Sequence, residues 1–325
     1  MGIPEHAVKK ISIISPCFNE QDNVRACRDA VAAMFREHLP TYDYEHIFAD
    51  NASTDNSVAV LRAIAAEDHR VKVIVNARNY GPFRSSFNAL RAARGDAVLV
   101  MLPVDLQDPP ELIPLFVREW ESGFKIVYGQ RQQREEGFLL RSVRRFYYRM
   151  VSRFADIQIP IDTAEFQLID RQVADAVLRF HDHYPYIRGM IANVGFRDRA
   201  KAIPYTWRAR ARGKSKNRFF NLLDQGLNGI VSFTNVPLRL AVILGFGLAA
   251  LSLVYAVVQL AINVILHGVA PPGIATLIVA VFFFSGVQLM FIGVLGEYVS
   301  SIHAQVRTGP IVIESERINF DSEAP

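Results

Sequence analysis

The sequence predicts an α/β domain with a mainly parallel sheet, followed by a C-terminal hairpin of two transmembrane helices. Short apolar runs alternate with amphipathic stretches as far as Asn235, which is the pattern of strands that alternate with helices. From Leu240 to Gly296 the chain then contains no Asp, Glu, Lys or Arg. The 325 residues are 50% apolar and 21% charged, a composition that excludes a chain disordered throughout.

Four short apolar runs predict the first strands of the sheet, and they cover Ile11–Ser15, His46–Asp50, Val71–Ala77 and Ala97–Leu102. Two amphipathic stretches between them predict helices over Asn23–His38 and Ser57–Asp68. Parallel sheets of this kind bind ligands at the carboxyl ends of their strands. We therefore expect the functional residues to lie directly after these four apolar runs.

The uncharged stretch is long enough to cross a bilayer twice. Its segments Leu240–Leu266 and Ile274–Leu295 both exceed the roughly 20 residues that span the hydrocarbon core. The sequence HGVAPPG between them predicts a tight turn. Arg239 and Arg307 flank the pair, so the positive-inside rule predicts that both termini are cytoplasmic. The alternative, a buried helical hairpin in a soluble core, would not require two uncharged lengths of this size.

These features divide the chain into four parts. We expect a cytoplasmic domain over residues 1–207, a basic juxtamembrane segment over 208–238, the hairpin over 239–296 and a cytoplasmic tail over 297–325. The protein is then expected to be a multi-pass protein of the cytoplasmic membrane, with its α/β domain in the cytoplasm. Whether the hairpin also packs into a homo-oligomer is left open by the sequence.

Two basic clusters precede the uncharged stretch. Arginines alternate with aromatic residues at helical spacing over Arg131–Arg153, which predicts an amphipathic helix on an anionic membrane surface, with an ordinary solvated arginine face as the alternative. The second cluster, Arg208–Arg218, lies at the depth where a lipid would present a phosphate head group. A net charge of only +4 does not favour nucleic acid as a partner.

Polar motifs follow the predicted strands, and they read SPCFNE (Ser15–Glu20), ADNASTD (Ala49–Asp55), ARNYG (Ala77–Gly81) and PVDLQDPPE (Pro103–Glu111). Carboxylates at the ends of neighbouring strands, such as Glu20 and Asp50, can accept hydrogen bonds from a ligand at this edge of the sheet. Asp105 and Gln107 present hard oxygen atoms, which Mg²⁺ and Mn²⁺ prefer. Asp108 precedes two prolines and fits a cap or turn residue.

In order and spacing, these motifs resemble the nucleotide-sugar domain of family 2 glycosyltransferases, and in particular the polyprenyl-phosphate glycosyltransferases related to dolichyl-phosphate mannose synthase. The resemblance continues through TAEFQLIDR (Thr163–Arg171), YIRG (Tyr186–Gly189) and RARGKSK (Arg210–Lys216) to the hairpin. It implies a GT-A-like, Rossmann-type domain. It also implies an inverting displacement, in which a lipid phosphate attacks the anomeric carbon of a nucleotide-diphosphate sugar, with a UDP-sugar mildly preferred.

The resemblance and the charges together assign roles to individual residues. Nucleotide contacts fall on Pro16, Asn19, Glu20, Asp50, Asn51 and Arg78. A divalent metal, Mg²⁺ or Mn²⁺, falls on Asp105 and Gln107, and the catalytic candidates are Asp105, Asp162 and Glu165. Basic side chains suit phosphate oxygens, and the candidates for the polyprenyl phosphate are Arg131, Arg188, Arg210, Ser215 and Lys216.

Several positions depart from the pattern of the family. Pro103 stands where the first acidic residue of the metal motif is expected, and Asn51 and Ala52 replace an acidic residue and a glycine. Glu165 replaces an aspartate, while Gln167, Trp207 and Lys214 replace two arginines and a glutamate. These departures keep a second hypothesis open, namely a catalytically silent membrane protein that binds a nucleotide-sugar or lipid and supports a partner.

Overall fold

The computed structural model describes residues 8–131, 163–180, 182, 185–208, 243–248, 273–306 and 309–320, together with scattered helical positions between 250 and 265. The chain divides into two compact units. The first consists of Met1–Tyr148, Ile157–Asn217 and Thr308–Pro325, and the second of Arg149–Asp156 and Arg218–Arg307. The predicted site residues Asp162, Arg210, Ser215 and Lys216 lie outside the described residues.

The first unit begins as a regular alternation of strands and helices. The elements are β1 (Lys10–Cys17), α1 (Val24–His38), β2 (Asp43–Asp50), α2 (Ser57–Glu67), β3 (Val71–Asn76), α3 (Pro82–Ala92) and β4 (Ala97–Leu99). All four predicted strands and both predicted helices are therefore present, with ends that differ by a few residues. The remaining elements of this unit are a 3-10 turn (Pro110–Leu112), α4 (Ile113–Glu121), β5 (Ile126–Arg131), β6 (Thr163–Asp170), α5 (Arg171–Leu178), α6 (Ile187–Val194), a second 3-10 turn (Arg197–Arg199), β7 (Ala200–Tyr205) and β8 (Glu314–Ile318).

The strands form one eight-stranded sheet in the order β7-β5-β6-β4-β1-β2-β3-β8. Strands β4, β1, β2 and β3 are parallel to one another, and β7 is parallel to β5. Strand β6 is antiparallel to β4 and β5, and β8 is antiparallel to β3. The predicted α/β domain with a mostly parallel sheet is confirmed, and the sheet is mixed at both ends.

Apolar cores cover both faces of the central strands. Ile11 and Ile13 of β1 pack in a core with Phe35 of α1, whereas Ile14 belongs to a second core with Phe87 of α3. A parallel strand that is buried on both faces requires a nearly continuous apolar run rather than an alternating one. This requirement explains why the first strands were recognisable as uninterrupted apolar segments.

The second unit contains a long helix, α7 (Gly273–Val306), with 34 residues. Among the described residues it is the one helix that is long and apolar enough to cross a membrane, over Phe283–Ser300. It continues beyond Leu295, where the second predicted span ends. About half of the first predicted span lies outside the described residues, but its described positions are helical, and large apolar side chains such as Phe246 and Leu251 are exposed. The two-helix hairpin therefore stays a prediction.

The C-terminal residues return to the sheet of the first unit. Strand β8 pairs with the edge of β3, although the sequence predicts a tail over residues 297–325. Its five residues, ESERI, have no apolar run, and their burial alternates between half-buried and exposed. An edge strand with charged side chains does not present the pattern of a core strand, which is why the sequence did not predict it.

Candidate active site

The carboxyl ends of β1, β2 and β3 lie side by side at one edge of the sheet. Cys17 at the end of β1 is opposite Asp50 at the end of β2, and Asp50 is opposite Val75 of β3. The loops that carry SPCFNE, ADNASTD and ARNYG therefore start at neighbouring points. The candidate nucleotide-binding residue Pro16 is buried within β1, opposite Ala49.

The first two loops are joined by hydrogen bonds from the SPCFNE motif. The Asn19 backbone N–H donates to Ser53 Oγ at 2.8 Å, and Asn19 Oδ1 accepts from the Thr54 N–H at 2.7 Å. Glu20 donates its backbone N–H to Ser57 Oγ at 2.8 Å, and its carboxylate accepts from Asn23 Nδ2 at 2.6 Å. Asn19, with a left-handed φ of 54°, thus aligns the two loops and leaves the half-buried Glu20 carboxylate between them.

Asp50 is fully buried beneath these loops. Its carboxylate accepts hydrogen bonds from the Ser53 N–H at 2.9 Å and from the Ser53 hydroxyl, and Cys17 Sγ lies 3.7 Å from Oδ2. Burial raises the pKa of the Asp50 carboxyl, and the hydrogen bonds from Ser53 and Cys17 oppose this rise. Ala52 has a left-handed φ of 58°, a conformation that explains why a glycine is common at this position.

Asn51 joins the second loop to the third. Its Oδ1 atom accepts from Asn76 Nδ2 at 3.1 Å and from the Tyr80 N–H at 3.4 Å, and the whole residue is buried. The exposed Arg78 guanidinium lies 4.1 Å from the centre of the Tyr80 ring. Asn51 therefore holds the ARNYG loop in position, and its oxygen is used within the protein.

The turn of residues 103–108 follows β4 and carries the metal candidates. The Gln107 N–H donates to Asp105 Oδ1 at 3.2 Å, and Leu106 between them has a left-handed φ of 56°. Gln107 also bonds twice to Arg208 after β7: its Nε2 donates to the Arg208 carbonyl at 3.2 Å, and its carbonyl accepts from the Arg208 N–H at 3.1 Å. The turn is thus fixed against the end of β7.

These residues fit a divalent cation that is partly coordinated by its substrate. Mg²⁺ is commonly bound by one or two carboxylates together with phosphate oxygens and water. Asp105 supplies one half-buried carboxylate, and Gln107 supplies an amide oxygen. The described residues include no group of three or more His, Cys, Asp or Glu side chains that could hold a metal alone. Asp105 and Gln107 could therefore hold only part of the coordination of a divalent cation, and the rest would have to come from other ligands.

Asp108 is not a helix cap, and the interpretation of this residue from sequence is wrong. Its buried carboxylate accepts two hydrogen bonds from Arg131 Nη2, at 3.0 and 3.1 Å, and one from the Tyr205 hydroxyl. Arg131 Nε also donates to the Tyr205 oxygen at 3.0 Å, and its guanidinium lies 4.7 Å from the Trp207 ring centre. The charge of Arg131, a candidate phosphate ligand, is thus already paired with Asp108.

Gly129 makes room for this cluster. A Cβ atom at Gly129 would lie 2.7 Å from Tyr205 Cε1 and 3.2 Å from Tyr205 Cδ1, because the two residues are on the paired strands β5 and β7. A glycine inside a strand signals a close approach of this kind. Gly129 and Tyr205 are therefore part of the site architecture, although the sequence motifs did not identify them.

We expect Gly129→Ala to destabilise the protein by about 1–3 kcal/mol, because the added methyl group overpacks the Tyr205 ring. The measurement is chemical unfolding of the purified chain in detergent. In a Tyr205→Ala background the ring is absent, so the same Gly129→Ala change should have a much smaller effect. Equal effects in both backgrounds would contradict the assigned contact.

Glu165 and Arg188 form a second charged pair. Glu165, on β6, is half-buried, and its Oε1 atom lies 3.7 Å from Arg188 Nε, which also donates to the Tyr186 hydroxyl at 2.9 Å. Burial raises the pKa of the Glu165 carboxyl, while the positive charges of Arg188 and Arg131 lower it and the negative charge of Asp108 raises it. Glu165 therefore lies in the electrostatic field of both arginines and of the turn that carries Asp105.

One residue that matches the family motif has a structural role. Arg171 donates from Nε to the Gly95 carbonyl at 2.9 Å and from Nη2 to the Ala93 carbonyl at 3.0 Å. These carbonyls follow the C-terminal end of α3, where a cation is favourable. Arg171 therefore connects β6 to the end of α3 and takes no part in the cluster around Glu165.

A fold and a site of this kind define a glycosyltransferase, and comparison with known proteins identifies the family. Residues 12–178 match the model of Glycosyl transferase family 2, and the chain belongs to this family. The predicted resemblance is therefore confirmed, and the α/β domain is GT-A-like.

Individual relatives align over nearly the whole chain. The protein is 31% identical to the SfII prophage-derived bactoprenol glucosyl transferase of Shigella flexneri over 313 residues, which are 95% of this chain and 99% of the relative. It is 32% identical to an uncharacterized glycosyltransferase, sll0501, of Synechocystis over 310 residues, covering 94% and 95% of the two chains. It is also similar to the crystal structure of glucosyl-3-phosphoglycerate synthase from Mycobacterium tuberculosis with UDP, with a TM-score of 0.47 and 18% identity, over 71% of this chain and 84% of that one.

Proposed function

We propose that the protein transfers a sugar from a nucleotide-diphosphate sugar, preferably a UDP-sugar, to polyprenyl phosphate. The observation that carries this proposal is the pairing of Glu165 with Arg188, in the field of Arg131 and next to the turn of Asp105. A guanidinium that a neighbouring carboxylate orients suits the binding of an anionic acceptor. The proposal is also supported by relatives that are named bactoprenol glucosyl transferase and align over about the full length of the chain.

The donor would bind at the ends of β1, β2 and β3. Glu20 offers half-buried carboxylate oxygens there, and Arg78 offers an exposed cation for a base or a phosphate. Asp50 is buried and would act by fixing the loop of Ser53 against the nucleotide. Asp105 and Gln107 would hold Mg²⁺ or Mn²⁺. When bound, the metal would offset negative charge on the departing nucleotide diphosphate.

The acceptor would be held by charge. A phosphomonoester has a second pKa of about 6, so its oxygen is largely ionised near neutral pH and needs little help from a general base. The main task of the protein is then to hold two anions together. Arg188 is the described cation nearest to Glu165, and Arg210, Ser215 and Lys216 remain candidates for the same phosphate. Glu165 would orient Arg188 and the sugar, with inversion following from attack opposite the nucleotide.

Membrane anchoring by a two-helix hairpin is part of this proposal. Strands β1 and β8 belong to the same sheet, although α7 lies between them in the chain. Two strands of one sheet lie on the same side of a bilayer, so the chain between β1 and β8 must cross the bilayer an even number of times. If α7 is one crossing, a second crossing must lie between β7 and α7, and the uncharged segment 240–266 is long enough to provide it. The catalytic domain and both termini would then lie on the same side of the membrane, and the positive-inside rule, applied to Arg239 and Arg307, would make that side the cytoplasm.

The test is a donor screen with the purified full-length protein. It is incubated with polyprenyl phosphate, Mg²⁺ or Mn²⁺, and a panel of UDP-, GDP- and dTDP-sugars, and lipid-linked sugar is measured. We expect a product that depends on both lipid and metal, with the highest rate for a UDP-sugar. If nucleotide binds but no donor yields a lipid-linked sugar, the protein is the catalytically silent scaffold that Pro103 and Asn51 keep as the second hypothesis.

A further inference from the structure

The C-terminal segment, residues 309–320, contacts the loop that carries Arg78. Strand β8 pairs with β3 through Val75 and Glu316, and the register shifts between Val75 and Asn76. The backbone pairing nevertheless continues beyond the strand, because the Ala77 N–H donates to the Ile313 carbonyl at 2.8 Å. The C-terminal segment therefore bonds to the first residue of the ARNYG loop.

The segment is anchored at several points along its length. Ile311 and Val312 are buried in the core that contains Phe87 of α3. Asn319 Nδ2 donates to the carbonyls of Ala65 and Val71 at 2.7 and 2.9 Å, which fixes the other end of the segment between α2 and β3. Two side-chain contacts lie between these anchors, Asn88 with Glu314 and Arg62 with Glu316.

The ADNASTD motif holds the same loop from its other side, through Asn51. Asn51 accepts from Asn76 Nδ2 and from the Tyr80 N–H, so residues 77–80 lie between Asn51 and the C-terminal segment. Ala77, Arg78 and Asn79 are exposed, so burial of their side chains does not hold the loop in place. An exposed loop that is released at one end samples more conformations, and a ligand must then order it on binding.

We propose that the C-terminal segment is a positioning element of the donor site: it preorganises residues 77–80, and through them Arg78, for the nucleotide. This inference rests on the proposed function, because it assigns Arg78 to the donor. The segment follows α7 in the chain, so the donor site is complete only when the residues after the membrane helix have returned to the sheet. The C-terminal segment binds the sheet as an added edge strand, as peptides do in β-strand addition, but here within a single chain.

Two substitutions of the same type test this role. Val312→Asp introduces a carboxylate at a position that is 8% exposed, whereas Val8→Asp introduces the same group at a position that is 66% exposed and precedes β1, away from the segment. In the full-length protein we expect Val312→Asp to weaken UDP binding by about tenfold, which corresponds to about 1.4 kcal/mol. Val8→Asp should leave UDP affinity unchanged. Isothermal titration calorimetry with UDP and Mn²⁺ measures both.

Kinetics and hydrogen exchange separate positioning from general unfolding. Val312→Asp should raise KM for the donor and leave kcat nearly unchanged, because the segment pairs with β3, whereas Glu165 lies on β6 and Arg188 on α6. Amide exchange at Ala77 should increase in the same variant. If Val312→Asp does not fold, Val312→Ala takes its place, with smaller changes in the same direction expected.

The outcomes distinguish this inference from the proposed function. Equal UDP affinity in the wild type and in a folded Val312 variant would overturn the positioning role. A loss of kcat that matches the loss of UDP affinity would overturn it as well. A wild-type protein that binds no nucleotide would instead contradict the proposed function itself.

Discussion

Asp105→Ala is expected to abolish metal-dependent turnover while membrane insertion remains intact. Asp105 is the half-buried carboxylate of the turn after β4, since Asp108 is buried and paired with Arg131, and Pro103 occupies the position where a second metal-binding carboxylate is common. A bound cation stabilises developing charge by several kcal/mol, and each 1.36 kcal/mol corresponds to tenfold in rate, so we expect kcat/KM to fall by about 10³-fold. Initial rates at increasing Mg²⁺ and Mn²⁺ concentrations measure the effect.

Asp96→Ala is the matched control for this experiment. Asp96 is an exposed aspartate just before β4, at the opposite end of the same strand, and its carboxylate accepts one hydrogen bond, from the Lys10 N–H at 2.7 Å. This variant loses the same side chain and should keep both its activity and its response to metal. Unchanged activity in Asp105→Ala would show that the metal is held elsewhere or is not used.

The central strands could be predicted because burial on both faces gave each of them a continuous apolar signature. Strand β8 could not, because its partner β3 is separated from it by most of the chain and its exposed charges resemble those of a tail. Long-range pairing of an edge strand depends on which backbone groups remain unpaired in the folded sheet. No local pattern of residues records that information.

The site was predictable at the level of strand ends but not at the level of individual contacts. The motifs after β1, β2 and β3 do lie together, yet the side chains of Asn19 and Asn51 are engaged with neighbouring loops. Asp108 looked like a cap because two prolines follow it. Its partners Arg131 and Tyr205 are 23 and 97 residues away, so only the folded sheet brings them together.

Substitutions at Glu165 and Arg188 should change the acidic limb of the pH profile in different ways. Loss of the Glu165 carboxylate should remove its contribution to the limb, and loss of the Arg188 charge should move the limb. Burial raises the pKa of the Glu165 carboxyl above its ordinary value of 4.5, and Arg188 opposes this rise. If the ionised carboxylate is the active form, activity declines as the pH falls through this pKa. Arg188→Gln removes a cation that favours the ionised form, so the pKa rises further and the acidic limb moves to higher pH.

Glu165→Gln should remove the contribution of Glu165 to this limb and lower kcat by about 10²-fold, because the neutral amide no longer fixes Arg188 by charge and a misplacement of about 1 Å costs about this much in rate. Arg188→Lys keeps a positive charge beside Glu165 and should keep the limb near its wild-type position, which makes it the matched control for Arg188→Gln. The acceptor phosphate also titrates, at a pKa of about 6. Because Arg188 is a candidate ligand of this phosphate, a shift of the limb in Arg188→Gln is assigned to Glu165 only if the shift is absent when Glu165→Gln is also present. The measurement is kcat against pH at saturating donor and acceptor. An identical acidic limb in the wild type, Arg188→Gln and Glu165→Gln would assign the titration to the acceptor alone and would remove Glu165 from the chemistry.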